Sequence, residues 1–371
     1  MRPIRISTIV GTRPEAIKLA PVILAARARS EEFEVRIVRT GQHRELVDEM
    51  LTEFGLVADV DLKVMQPDQD LAHVLSASVR GLFDVIARDR PDWVIVQGDT
   101  TTTLAGALAA FYNHARIGHV EAGLRTGHRC SPFPEEANRL LTTQLADLHF
   151  APTERARRNL LREGIGAEDI VVTGNTVVDA LLHSRDLAAS AESAGERASP
   201  PYILVTAHRR ENHGDALFQI CDAVRELLDR HPSTSAWIPM HPSPRVREVL
   251  SDELGGHARA LLTEPLGYAD FVRALEEATL VLTDSGGVQE ECAALGKPVL
   301  VLRGHTERPE AIEAGVAKVV GTGARAIVEA ASRLLDDPAV RGAMCRASDA
   351  FGDGRASQRI LAALLRAQRL A

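Results

Sequence analysis

Aromatic residues are scarce: they make up 4% of the chain, with two tryptophans and three tyrosines. That excludes the stacking platforms that hold single-stranded nucleic acid. A basic excess is missing too, since 43 Lys and Arg stand against 51 Asp and Glu, a net charge of −8. A duplex-binding surface needs the opposite sign, whereas a local basic pocket for an anionic small molecule is compatible with an acidic total. Only four cysteines occur, Cys130, Cys221, Cys292 and Cys345, and no two have C-x-x-C spacing. This speaks against a disulfide scaffold or a zinc ribbon and fits a reducing compartment, so a cytoplasmic location is expected. No apolar run approaches the roughly 18 residues that span a bilayer. The apolar stretch Ile6–Val10 is too short for a signal segment and is followed by Arg13, Glu15 and Lys18, which predicts a buried first strand instead. The patterns HExxH, GxGxxG and GxxxxGK[ST] are all absent, so no metal and no cofactor is expected.

What remains is an ordinary globular composition, 45% hydrophobic and 25% charged, over 371 residues, enough for two domains. Short apolar runs alternate with amphipathic stretches. Strands are predicted at Ile4–Val10, Glu34–Arg39, Trp93–Gln97, Ile117–Val120, Leu148–Ala151 and Ile170–Thr173. Helices are predicted at Glu15–Arg29, Leu71–Asp89, Thr101–Tyr112, Glu135–Ala146 and Thr153–Glu163. Such β-α alternation implies a parallel sheet covered on both faces. The stretch 187–201 is rich in Ala, Ser, Glu and Pro and is expected to be a linker. Alternation then restarts, with strands at Tyr202–Thr206, Ala236–Met240, Arg259–Leu262, Leu280–Thr283, Pro298–Leu302 and Lys318–Val320, and a last helix at Ala356–Arg369. The expected architecture is α/β: a doubly wound domain over 1–186, a second over 202–352, and a terminal segment over 353–371. The mid-chain break argues against a single TIM barrel. In open α/β sheets the site lies beyond the carboxyl ends of the strands, which for two such domains predicts a cleft between them.

Polar clusters follow those strand ends. Arg13 and Lys18 lie just past the first strand, in Gly11-Thr12-Arg13-Pro14-Glu15-Ala16-Ile17-Lys18. Both can reach one anion, and a solvated loop explains them equally well. Asp99 ends Gln97-Gly98-Asp99, where a helix N-cap is the plain explanation. Glu121 ends a buried strand in His119-Val120-Glu121, a poor place for an unpaired acid. Glu135 enters a helix after Pro134, where the helix dipole favours an acid. Together these three carboxylates converge on one domain, as proton transfer at carbon requires. The second half offers anion chemistry: His208 and His241 follow its first two strands, Ser285-Gly286-Gly287 opens a helix, Glu291 follows one turn later, and Arg308 follows the fifth strand. Singly, a structural histidine or an ordinary turn explains each. A diphosphate explains them jointly.

The segments Gly11-Thr12-Arg13-Pro14-Glu15, Gly98-Asp99-Thr100-Thr101-Thr102, His119 to Arg125, Pro134-Glu135-Glu136, Gly174-Asn175-Thr176, His208-Arg209-Arg210-Glu211, Asp284 to Glu291, Thr306 to Glu310 and Gly352-Asp353-Gly354 resemble, in order and over the whole chain, the non-hydrolysing UDP-N-acetylglucosamine 2-epimerases. The resemblance implies a GT-B-like fold of two Rossmann-like domains with a C-terminal helix crossing back to the first. It also implies reversible conversion of UDP-GlcNAc to UDP-ManNAc in a cytoplasmic homodimer that supplies bacterial surface polysaccharide. Carried over position by position, it assigns Asp99, Glu121, Glu135, His208 and Lys18 to catalysis. It assigns Arg13, Arg139, His241, Phe271, Ser285, Gly286, Gly287, Glu291 and Arg308 to substrate binding. Some members carry an activating second UDP-GlcNAc, and Gln42, His43 and Gln69 match that site. Glu45 and Asp68 stand where those members have Gln and Arg; acids beside a diphosphate repel it, so weak or absent activation is expected. A GT-B glycosyltransferase would share the UDP half of the site without needing three acids in the first domain. A silent UDP-sugar sensor would need none of them.

Overall fold

The computed structural model describes residues 2–41, 44–66, 69–130, 132–190, 197–207, 209, 212 and 214–370, with the backbone alone at 44, 45, 188–190 and 370. The chain folds into two compact units, Met1–His183 joined by Gly352–Ala371, and Ser184–Phe351.

The first unit has seven parallel strands, β1 (Ile4–Val10), β2 (Phe33–Arg39), β3 (Val60–Asp61), β4 (Trp93–Gln97), β5 (Arg116–Val120), β6 (Leu148–Ala151) and β7 (Ile170–Val172). Their order is β3-β2-β1-β4-β5-β6-β7. Its helices are α1 (Arg13–Arg27), α2 (Arg44–Glu53), α3 (Leu71–Asp89), α4 (Thr101–Tyr112), α5 (Glu135–Leu145), α6 (Glu154–Arg162) and α7 (Thr176–Ser190). The central strand β4, Trp-Val-Ile-Val-Gln, is buried at every position, the continuous apolar pattern of a parallel strand covered on both faces. Helix α4 is built of small residues, and a Cβ on Gly106 would fall 2.8 Å from Val96 Cγ1, so the helix can press directly onto the sheet. The strand order reverses between β1 and β4, which pair at Ile6↔Trp93. The loops after these two strands are those of Gly11–Arg13 and Gly98–Thr100.

The second unit has six parallel strands, β8 (Tyr202–Thr206), β9 (Ser235–Pro239), β10 (Ala260–Thr263), β11 (Leu280–Thr283), β12 (Val299–Val301) and β13 (Ala317–Val319), in the order β10-β9-β8-β11-β12-β13. Helices α8 (Asp215–Arg230), α9 (Pro244–Leu254), α10 (Tyr268–Glu277), α11 (Gly286–Leu295), α12 (Pro309–Glu313), α13 (Ala324–Asp336) and α14 (Pro338–Met344) accompany them. Here the reversal falls between β8 and β11, paired at Ile203↔Leu280. Each sheet therefore has a switch point where doubly wound folds bind ligands. Both units are Rossmann-like, and the fold is GT-B-like.

The last helix, α15 (Ala356–Leu370), belongs to the first unit. Its first turn is capped from another helix: Asp179 of α7 accepts hydrogen bonds from Ala356 N at 3.1 Å and Ser357 N at 2.8 Å. Three elements differ from expectation. Helix α7 runs on to Ser190, so the span 187–201 is not a linker throughout; Leu187-Ala188-Ala189 lacks strand character but is good helix material. The pair α2 and β3 went unpredicted, β3 because two residues carry no period. No helix among the described residues is long and apolar enough to cross a membrane.

Candidate active site

In the first unit the β1–α1 turn is locked by Glu15, which is 2% exposed. Its carboxylate accepts hydrogen bonds from Gly11 N and Thr12 N, both at 2.7 Å. It also accepts from the hydroxyls of Thr100 and Thr103 in the neighbouring β4–α4 turn. Burial pushes the Glu15 carboxyl up, and these four donors oppose that shift. One buried acid thus ties together the two loops at the switch point. Gly11 is forced: a Cβ there would fall on the Thr102 side chain.

That turn aims α1 so that Lys18, one turn in, is buried against Glu121, and their charged groups are in direct contact. Glu121 also accepts a hydrogen bond from Asn175 Nδ2 at 2.6 Å. Its backbone has φ of +65°, a left-handed conformation that costs a non-glycine residue of order 1 kcal/mol. Such strain persists only where the surroundings enforce it, and a buried cation plus a buried amide do so here. Asp99 pairs with Arg139 of α5, Oδ2 to Nη2 at 2.5 Å. Arg139 in turn meets Glu136 at 2.9 Å, and Asn138 Nδ2 donates to the Asp99 carbonyl at 2.9 Å. Glu135 is the first residue of α5, half-buried, beside these partners in sequence.

Two histidines lie beneath this region. His119 and His149 are neighbours in the β5–β6 register. Burial pushes His119 down to about 4, although its bond to the Gly98 carbonyl at 2.7 Å works the other way. Burial, with the neighbouring His119 and Arg125, pushes His149 down to about 3. Both are neutral at pH 7 and leave the charge balance to the acids, Lys18 and Arg139.

In the second unit Ser285 is the N-cap of α11, which opens with Gly286 and Gly287. A Cβ on Gly286 would lie 3.1 Å from the Arg308 guanidinium carbon, whereas one on Gly287 would meet nothing within 4 Å. Arg308 is 5% exposed, donates through Nε to Glu290 at 2.8 Å, and lies 3.6 Å from Glu307. Burial alone would raise the Glu307 carboxyl, but Arg308, Arg303 and Arg209 hold it well below the usual carboxylate range. A fixed guanidinium beside an amide-rich helix start is an arrangement able to receive an anion. Glu291 accepts from Tyr268 Oη at 2.7 Å. Phe271 is half-buried on α10, and exposed His241 follows β9, its Nδ1 accepting from Ser243 N at 3.1 Å. Arg13 opens α1 in the first unit.

His208, Gln42 and His43 lie outside the described residues. Their flanks are placed: Arg209 N donates to Asp284 at 2.8 Å and Asn212 Nδ2 donates to it at 3.0 Å. Gln69 accepts from Gln66 N at 3.0 Å. Residue types and spacing did not single out Asn175, Glu136, Glu15, Tyr268 or Asp284 as individual residues. Glu136 carried a usable signal, an acid three residues before Arg139 on one helix face. Glu15 carried a local signal as well, the Thr12-x-x-Glu15 capping box; the others are revealed only by long-range contacts. Among the described residues, no cluster of three His, Cys, Asp or Glu side chains is arranged to hold a metal.

A family model described as UDP-N-acetylglucosamine 2-epimerase matches residues 25–365. The UDP-N-acetylglucosamine 2-epimerase of Escherichia coli K12 is 47% identical over 97% of this chain and 98% of its own. The Neisseria meningitidis UDP-GlcNAc 2-epimerase, solved bound to UDP-GlcNAc, superposes with a TM-score of 0.93 at 43% identity, covering 98% of this chain and 100% of that one. The Methanocaldococcus jannaschii UDP-GlcNAc 2-epimerase, solved in complex with UDP-GlcNAc and UDP, gives a TM-score of 0.86 at 34% identity over 98% of this chain and 100% of that one. With its switch-point acids, its buried lysine and its arginine-backed helix start, the chain belongs to the UDP-N-acetylglucosamine 2-epimerase family.

Proposed function

We propose that this enzyme interconverts UDP-GlcNAc and UDP-ManNAc by eliminating UDP and adding it back. The C2 proton of the sugar is not acidic, because no carbonyl stands beside it. Breaking the C1–O bond first, with its electron pair leaving on the β-phosphate, gives C1 oxocarbenium character and makes that proton removable. A carboxylate then takes the proton and a C1–C2 double bond forms, giving 2-acetamidoglucal and UDP. Re-addition with protonation of the opposite face inverts C2, and no atom is lost overall.

In this reading the second unit stabilises and retains UDP. Arg308, the Ser285 side chain and the amides of Gly286 and Gly287 take the phosphates with His241, Phe271 stands by the uracil, and Glu291 accepts from hydroxyl groups. The first unit moves the proton. Glu121 is the base at C2, with Asp99, Glu135 and Lys18 of this unit and His208 of the second completing the proton-transfer set and Arg139 orienting the sugar. One observation carries this reading: a buried carboxylate on a strained backbone is held by Lys18 and Asn175. A cation and an N–H donor favour the ionised form a base needs, and nothing about folding requires an acid at the end of β5.

We further propose, on the family resemblance, a cytoplasmic homodimer that feeds bacterial surface polysaccharide. Light scattering that returned a monomer would refute the dimer. Proton NMR of UDP-GlcNAc with the protein in D2O tests the chemistry. Deuterium at C2, appearance of UDP-ManNAc and constant total UDP-sugar are expected. Free UDP with ManNAc, or epimerisation that leaves C2 undeuterated, would overturn the mechanism.

A further inference from the structure

We infer that Asn175 is a positioning residue that holds Glu121 ready to take the C2 proton, an inference that rests on the role just assigned to Glu121. Asn175 precedes α7, and Asn is a preferred N-cap. Capping explains only half of its side chain. Its Oδ1 accepts from Val177 N at 3.2 Å, and because that partner is an N–H, the amide is oriented with Nδ2 on the other side. Nδ2 donates to Glu121 Oε2 at 2.6 Å. Asn175 is 2% exposed and Glu121 8%. Serine or aspartate would cap α7 equally well, but neither would present an N–H to a carboxylate. The positive end of the α7 dipole faces the same acid through this residue.

The turn that carries Asn175 is itself fastened. The Thr173 carbonyl accepts from Arg359 Nη1 at 3.0 Å, and Gly352 backs onto Gly174 so closely that a Cβ would lie 2.9 Å from its Cα. The start of the C-terminal segment therefore fixes the Gly174–Asn175 turn, and the turn fixes the carboxylate. Lys18 from α1 is in direct contact with Glu121, and the neutral His119, two residues earlier on β5, feels the charges of Glu121, Asp99 and Arg125 together. Asp179, further along α7, is engaged with the start of α15.

The test uses the full-length protein with Asn175→Ser, Asn175→Asp, Asn175→Ala and Glu121→Gln. Readouts are kcat, KM, the pH profile of kcat/KM, C2 deuterium uptake and Tm. For Asn175→Ser we expect a modestly lower Tm, KM within about 3-fold, and kcat and C2 exchange about 10- to 100-fold lower, the worth of one charge-assisted donor. For Asn175→Asp, a like charge against Glu121 is expected to move the acidic limb of the profile up by about one pH unit and to lower the Tm at neutral pH through the same repulsion. Full activity in Asn175→Ser, or losses confined to Asn175→Ala and tracking its Tm, would reduce Asn175 to a helix cap and overturn the inference. The Glu121→Gln variant separates the two levels of argument. If it exchanges C2 as fast as wild type, the role of Glu121 and this inference fall together. If it is inactive while Asn175→Ser is fully active, only the positioning role falls.

Discussion

The two buried histidines make stability a steep function of pH in a range where most proteins are indifferent to it. His119 titrates at about 4 and His149 at about 3 in the folded state, against an ordinary value near 6.5. Both values are depressed, so the unfolded chain binds protons that the folded chain refuses. Stability is therefore full above about pH 7.5 and is lost as pH falls through 6.5 toward the folded values. At pH 5 each unfolded histidine is almost wholly protonated and each folded one almost wholly neutral, which costs about 2 kcal/mol per residue. Together they remove about 4 kcal/mol, a large share of a typical 5–15 kcal/mol. Glu15 and Asp179, both pushed up by burial, act in the opposite sense, because their own protonation favours the folded state. Urea unfolding at pH 7.5, 6.5, 5.5 and 5.0 measures the effect, with His149→Asn as comparison. The expected slope approaches two protons for wild type and one for the variant between pH 6 and 5. A wild-type stability flat from pH 7.5 to 5 would refute the assignment of both histidines as buried and neutral.

Replacing Arg139 by Lys removes a fork that spans Asp99 and Glu136; a point charge cannot hold both, so kcat/KM should fall about 10-fold or more while circular dichroism stays native, and an unchanged kcat/KM would contradict the role given to Asp99 and its partner. Gly286→Ala should push the Arg308 guanidinium by a few tenths of an ångström and weaken UDP binding by calorimetry about 10-fold, roughly 1.4 kcal/mol, and unchanged UDP affinity would remove Arg308 from the phosphate site. Lys18→Met strands the Glu121 carboxylate without its buried cation, so it should lower stability by about 3 kcal/mol and abolish C2 exchange; a stable, active variant would refute the pair.

Why the site was legible in part follows from where each residue gets its meaning. The strands other than β3 were visible because short apolar runs such as the Val-Ile-Val of β4, alternating with amphipathic stretches, suit parallel strands covered on both faces. Asp99, Glu121 and Arg308 were visible because chemistry at strand ends repeats a topological rule that needs no contact map. Their pairings were not visible, because pairing is a long-range fact: Lys18 meets Glu121 across 103 positions and Asn175 meets it across 54. The end of α7 was hidden for the opposite reason, since an Ala- and Ser-rich stretch suits both a helix and a linker until packing decides. Glu15 is the instructive case. Locally it is an acid in the first turn of a helix, which the dipole explains, yet it holds the Thr100 and Thr103 hydroxyls 85 and 88 positions away. Substituting Gln there keeps the local role and keeps one acceptor, but it removes the second acceptor and the charge. Tm should fall only slightly, because α1 is still capped, whereas kcat should fall with the loss of alignment between the Arg13–Lys18 and Asp99 loops. If kcat and Tm instead held together at wild-type values, Glu15 would be an ordinary helix-start acid, and the two switch-point loops would be set independently of each other.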